Sequence, residues 1–109
     1  MKWADYVITA VNHQHGHSTI THVQVRPDLG ETLGQAVVWT RADVLKGLDT
    51  GRTFVTAFLR DGKWQLGADV HAVTVGWERY LRSDHNAIRA DNLDSLPEFD
   101  QPAYVMSAR

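Results

Sequence analysis

The sequence predicts an α+β domain: an antiparallel, meander-type sheet of about five or six strands with one short helix packed on one face. Three observations predict it. Most of the chain before Ser83 divides into short runs with a two-residue apolar period, separated by clusters of Gly, Pro, Asn and Asp. One stretch, opening at Thr40, changes to helical spacing behind a capping signal. The length, 109 residues, permits a single core, for which a globule of this size buries about 60 to 65% of its unfolded surface. That domain is expected over residues 1–99, with 100–109 as a frayed tail.

Tyr6 to Val11 is β-branched and aromatic and too short for a helix, so it reads as a strand. Asn12 to Ser18 is polar, with Gly16 and three histidines, and leads into Thr19 to Val25, where Thr21, Val23 and Val25 alternate. The pair makes a hairpin. Arg26-Pro27-Asp28-Leu29-Gly30 is a turn, and a third strand follows near Gln35 to Trp39.

Thr40-Arg41-Ala42-Asp43 has the form of a capping box, and Val44, Leu45 and Leu48, joined by Ala42, give the helix an apolar face. Gly51 stands where a left-handed cap ends it after about two to three turns. Thr53 to Leu59 has apolar residues on both faces and is expected to be a central strand, closed by the turn Arg60 to Lys63. Val70 to Val75 and Glu78 to Ser83 form the last hairpin around Gly76-Trp77, where glycine at the first loop position suits a type II′ turn. That loop sets Val75 opposite Glu78, Val73 opposite Tyr80 and His71 opposite Arg82. Asp84 to Asn92 reads as an ordered loop, and Leu93, Leu96 and Phe99 as anchors of an irregular segment around Pro97.

Composition excludes several function classes. There is no cysteine, so disulfide frameworks, thiolate metal sites and thiol nucleophiles are out, and a cytoplasmic protein is expected. Met1 to Tyr6 carries no apolar run of the kind a secretory signal or membrane span needs. The net charge of −2 argues against indiscriminate binding to nucleic acid or anionic lipid. That charge is unevenly spread: residues 41–90 carry eight basic against six acidic residues, whereas 91–109 hold Asp91, Asp94, Glu98 and Asp100 against Arg109.

Three clusters are candidates for chemistry. His13, His15 and His17 alternate, and in an extended strand such residues share a face about 6.5 Å apart, a spacing from which imidazoles converge on zinc or another transition metal. Gly16 interrupts them and no carboxylate completes the set, so an exposed loop with incidental histidines is the plainer reading. Ser83-Asp84-His85 spells the letters of a hydrolase triad, but adjacent side chains diverge and cannot form the relay. No G-x-S-x-G, H-E-x-x-H, P-loop or G-x-G-x-x-G string occurs, and no catalytic residue is nominated. The second cluster is basic and aromatic: Arg60, Lys63 and Trp64, then Trp77, Arg79, Tyr80 and Arg82. Single-stranded nucleic acid stacks on such rings, yet Trp77 at a hairpin tip is hard to bury in its own domain and suits a protein contact. The third is the loop after that hairpin, with Asp84, Asn86 and Arg89, whose polar groups serve a ligand or cap their own backbone.

Lys2-Trp3-Ala4-Asp5-Tyr6, Thr40-Arg41 with Val44, Gly51-x-Thr53-Phe54, Asp61-Gly62-Lys63-Trp64, Gly67-x-Asp69-Val70-His71-x-Val73-Thr74-Val75, Tyr80-Leu81-Arg82-Ser83-Asp84 and Asp91-Asn92-Leu93-x-x-Leu96-Pro97-Glu98-Phe99 together resemble the small bacterial family known as domain of unknown function 3892. The resemblance runs to Phe99 and implies a short bacterial or phage-type single-domain protein with no assigned activity, so no catalytic residue carries over. Members of that family often have an Asn-Gly turn where this chain has Gly76-Trp77, and the histidine loop is not part of the family pattern. The expectation is therefore a non-enzymatic protein-interaction module, without a cofactor, that uses residues 70–92 with Trp77 and Arg82 as anchors. A nucleic-acid- or small-ligand-binding domain using the same region is the alternative, and a metal-binding protein the third. The partner is an unidentified protein or a second copy of the chain.

Overall fold

The computed structural model describes residues 2–13 and 20–83, together with Leu93, Leu96, Pro97 and Phe99. Six strands and one helix follow in the order β1 (Tyr6–His13), β2 (Ile20–Pro27), β3 (Val37–Thr40), α1 (Arg41–Asp49), β4 (Phe54–Arg60), β5 (Lys63–Val75) and β6 (Glu78–Arg82). They form one sheet in the order β3-β2-β1-β4-β5-β6. The α+β class and the strand count agree with expectation. The all-antiparallel meander does not, because β1 and β4 pair in parallel, with Tyr6, Val7 and Ile8 opposite Phe54, Val55 and Thr56. The physical reason is α1. After β3 reaches one edge, the helix carries the chain back over the sheet to the open side of β1, and a crossover of this kind is what a parallel pair requires.

Asp5 and Thr53 hold that parallel pair at its start. Asp5 N–H donates to Thr53 Oγ1 (2.9 Å), and the Asp5 carboxylate accepts from the Thr53 N–H (3.0 Å). The Thr53 N–H is the main reason the Asp5 carboxyl titrates below its ordinary range. β4 is central, as expected.

α1 begins with the expected capping box. The Asp43 N–H donates to Thr40 Oγ1 (3.1 Å) and the Thr40 N–H donates to the Asp43 carboxylate (3.0 Å). It ends in a Schellman motif: Arg52 N–H to Gly47 O (2.9 Å), Gly51 N–H to Leu48 O (3.2 Å), with Gly51 at φ +90°. Val44 and Leu45 are buried and Leu48 packs against them, while Ala42 is exposed and adds nothing to the apolar face.

The helix-bearing face holds the larger core, with Ile8, Val23, Val25, Phe54, Val70 and Leu81 beneath Val44 and Leu45. A bulge between Ile8 and Ala10 resets the alternation so that Val11 joins the same face as Ile8. Leu93 is buried in this core and Leu96 packs on it. The Val11 N–H donates to Pro97 O (2.9 Å) and Val11 O accepts from the Phe99 N–H (3.0 Å), so β1 gains a parallel partner beyond the end of β4. The anchoring expected of Leu93 and Leu96 is observed.

The opposite face has a smaller core of Ala4, Val7, Val55 and Ala57, flanked by Trp3, Leu33 and Trp64. β5 is longer than the expected Val70–Val75 and runs unbroken from Lys63. A register shift between Val55 and Ala57 disguises it. There the Ala68 N–H donates to Thr56 Oγ1 (3.0 Å), and a Cβ on Gly67 would sit 2.2 Å from that oxygen, so only glycine fits.

Candidate functional site

The β5–β6 hairpin has the expected register: His71, Val73 and Val75 stand opposite Arg82, Tyr80 and Glu78. Of the two loop residues only Gly76 has positive φ, +66°, as a type II′ turn requires. Trp77 follows it and its relative exposure is 101%, so the indole projects wholly into solvent from a two-residue turn.

The other hairpin residues are tied to the helix. Arg79 Nη1 donates to Asp49 Oδ1 at 2.6 Å, and that carboxylate raises the guanidinium above its ordinary pKa. The Arg41 guanidinium donates to Arg79 O and lies over the Tyr80 ring, 5.7 Å from its centroid. The pair Arg79–Asp49 is exposed and adds little to stability, but it neutralises the cation that an anionic ligand would seek here. Arg82 is 3% exposed, opposite His71 at the inner end of the ribbon, and supplies no contact area. Asp84, Asn86 and Arg89 lie outside the described residues.

Of the histidine set, His13 closes β1 opposite Ile20, and His15 and His17 lie outside the described residues. Among the described residues no three His, Asp or Glu side chains gather as a metal site. His22, on β2, keeps both ring nitrogens buried without a partner there. Among the described residues no helix is long and apolar enough to cross a membrane.

A groove that periodicity does not reveal lies between α1 and β3. It measures about 830 Å³ and is lined by Tyr6, Val37, Trp39, Asp43, Lys46 and Arg52, among others. Its floor is an aromatic cluster, with Tyr6 and Trp39 4.8 Å apart between ring centroids and buried Phe54 at 5.4 and 5.9 Å from them. Gly47 permits this closeness, because a Cβ there would meet Phe54 Cζ at 2.9 Å. The helix therefore sits directly on Phe54, and Lys46 comes to the groove rim. The signal in the sequence was Trp39 beside a capping box, but its partners come from β1 and β4, which no local pattern connects.

Taken together, the fold and surfaces define a small mixed-sheet α+β domain that offers an exposed aromatic tip and an aromatic groove on either side of one helix. The chain belongs to the family described as protein of unknown function (DUF3892), whose profile matches residues 7–97. It matches no curated protein and no solved structure.

Proposed function

We propose that the protein is a non-enzymatic interaction module that binds a protein partner through the tip of the β5–β6 hairpin, with Trp77 as the anchor. The observation that carries this reading is the full exposure of Trp77 on a turn whose backbone the II′ geometry fixes. A large, rigid ring held in solvent costs little entropy to dock, and tryptophan is the residue type most enriched among interface hot spots. Engagement of Arg79 by Asp49 and burial of Arg82 favour a protein partner over nucleic acid, since few of the hairpin's cations are left for phosphates.

Affinity capture from the native host, with the full-length chain as bait, tests the reading against Trp77→Ala and Lys46→Ala. Loss of a partner by more than about tenfold in the first variant and its retention in the second is expected, a hot-spot truncation being worth about 2 kcal/mol or more. Equal capture by Trp77→Ala overturns it. Binding of a single-stranded oligonucleotide that weakens steeply with salt would replace it with the nucleic-acid reading.

A further inference from the structure

We infer that the groove between α1 and β3 is a small-molecule site for a flat aromatic ligand carrying one anionic group. Three independent features carry the inference. The first is shape: at about 830 Å³ the groove has the size of ligand sites, commonly about 300–1,000 Å³, and most of the surface that lines it is apolar. It runs beside α1, nine residues and about 13 Å long, from Asp43 in the first turn to Arg52 beyond the last, with Tyr6, Val37 and Trp39 of the sheet on its other side.

The second is the floor. Tyr6 and Trp39 are only partly buried, yet their rings are held by each other and by Phe54 from below. A surface of rings already fixed by packing loses little freedom when a planar ligand stacks on it, so the stacking gain is kept.

The third is charge. Among the described residues the lining holds two cations, Lys46 and Arg52, against one carboxylate, Asp43. The Asp43 carboxylate is already the acceptor for the Thr40 N–H in the capping box. Lys46 and Arg52 are both exposed at the rim, so an anionic group can reach them while the flat part of the ligand lies on the rings. A carboxylate and a phosphate share this chemistry, and the geometry serves either.

The test is a set of titrations of the full-length protein with 1-naphthylacetate, 1-naphthyl phosphate and neutral 1-naphthylmethanol, followed by backbone amide shifts. Saturable binding of at least one anion is expected, with shifts confined to residues 36–52 and Tyr6 and with the neutral alcohol at least about fivefold weaker. The tighter anion identifies the natural group. Lys46→Ala with Arg52→Ala should weaken the anion by about fivefold to tenfold and leave the alcohol unchanged, as expected for two exposed charge contacts. Val37→Glu, at an exposed position on the groove wall, should weaken the anion while preserving the native amide spectrum. Equal affinity for anion and alcohol, undiminished anion binding in the double variant, shifts centred elsewhere, or no binding by millimolar ligand would each overturn the inference.

Discussion

On one face of the sheet, α1 lies over Ile8, Val25, Phe54 and Leu81, and closure there is almost wholly apolar. On the other face no helix is present among the described residues, and a thin core is roofed by the chain around Trp3 and by the turn from Asp28 to Leu33. Asp28 ties these two coverings together. It is 5% exposed, and its carboxylate accepts from the N–H groups of Trp3 (2.7 Å), Ala4 (3.2 Å) and Gly30 (2.9 Å). Arg26 helps from β2, stacking over Trp64 at 5.3 Å and donating to Gly34 O at 3.1 Å. The first face is thus held by non-directional burial, which tolerates incomplete cover and leaves a groove along the side of the helix. The second is held by directional bonds to one charge, so it is sensitive to that charge.

The comparison breaks most sharply at Phe54, which is 2% exposed and supports both the helix and the groove rings. Phe54→Ala should cost about 3–5 kcal/mol, the range for truncating a buried phenylalanine, read as a lower urea midpoint. A loss under about 1 kcal/mol would mean that α1 does not close this face.

Asp28→Asn should cost about 1–3 kcal/mol near pH 7, because a neutral amide turns an N–H group toward one of the three donors the carboxylate now satisfies. Its pH dependence distinguishes the two faces. Burial pushes the Asp28 carboxyl up, but the N–H groups of Gly30, Trp3 and Ala4, aided by Lys2, outweigh it and the net displacement is downward. A carboxyl that titrates lower in the folded state stabilises above its unfolded pKa, about 3.9, and loses that contribution as pH falls through the lower folded value. The gap between the native chain and Asp28→Asn should therefore be full above about pH 5 and close in acid. A gap independent of pH would show that Asp28 acts through shape alone. The gap between the native chain and Phe54→Ala should be independent of pH, because no titrating group is lost.

Much of the first face was legible in the sequence, and little of the second. The capping box at Thr40 and the left-handed Gly51 fix α1 from residues within it, and the Gly76-Trp77 loop fixes the whole β5–β6 register through the strand period. Asp28 read only as a turn residue, since its partners Trp3 and Ala4 lie far back in the chain. The parallel β1–β4 pair was hidden for the same reason: alternation says which side chains share a face but not which strand lies alongside. Arg82 illustrates the limit. Its alternation with Tyr80 was correct, yet depth in the ribbon decides exposure, and the position opposite His71 adjoins the point where β5 leaves β4. The groove has no local signature in the sequence, because Tyr6, Trp39 and Phe54 meet only once the crossover has been made.

Trp77 belongs to neither face, and it gives the smallest expected effect. Its ring loses no exposure to the domain, so Trp77→Ala removes no buried area, opens no cavity and leaves Gly76 to hold the turn. Stability should change by no more than about 0.5 kcal/mol, as for a surface substitution away from caps, cores and networks. The measurement is the same urea transition, with an unchanged slope showing that the folded state is as compact as before. A loss above about 1 kcal/mol would mean that the indole packs on the domain in solution, and the tip would then be part of the helix-bearing core rather than a free anchor. With stability unchanged, any loss of partner capture by this variant comes from the contact itself.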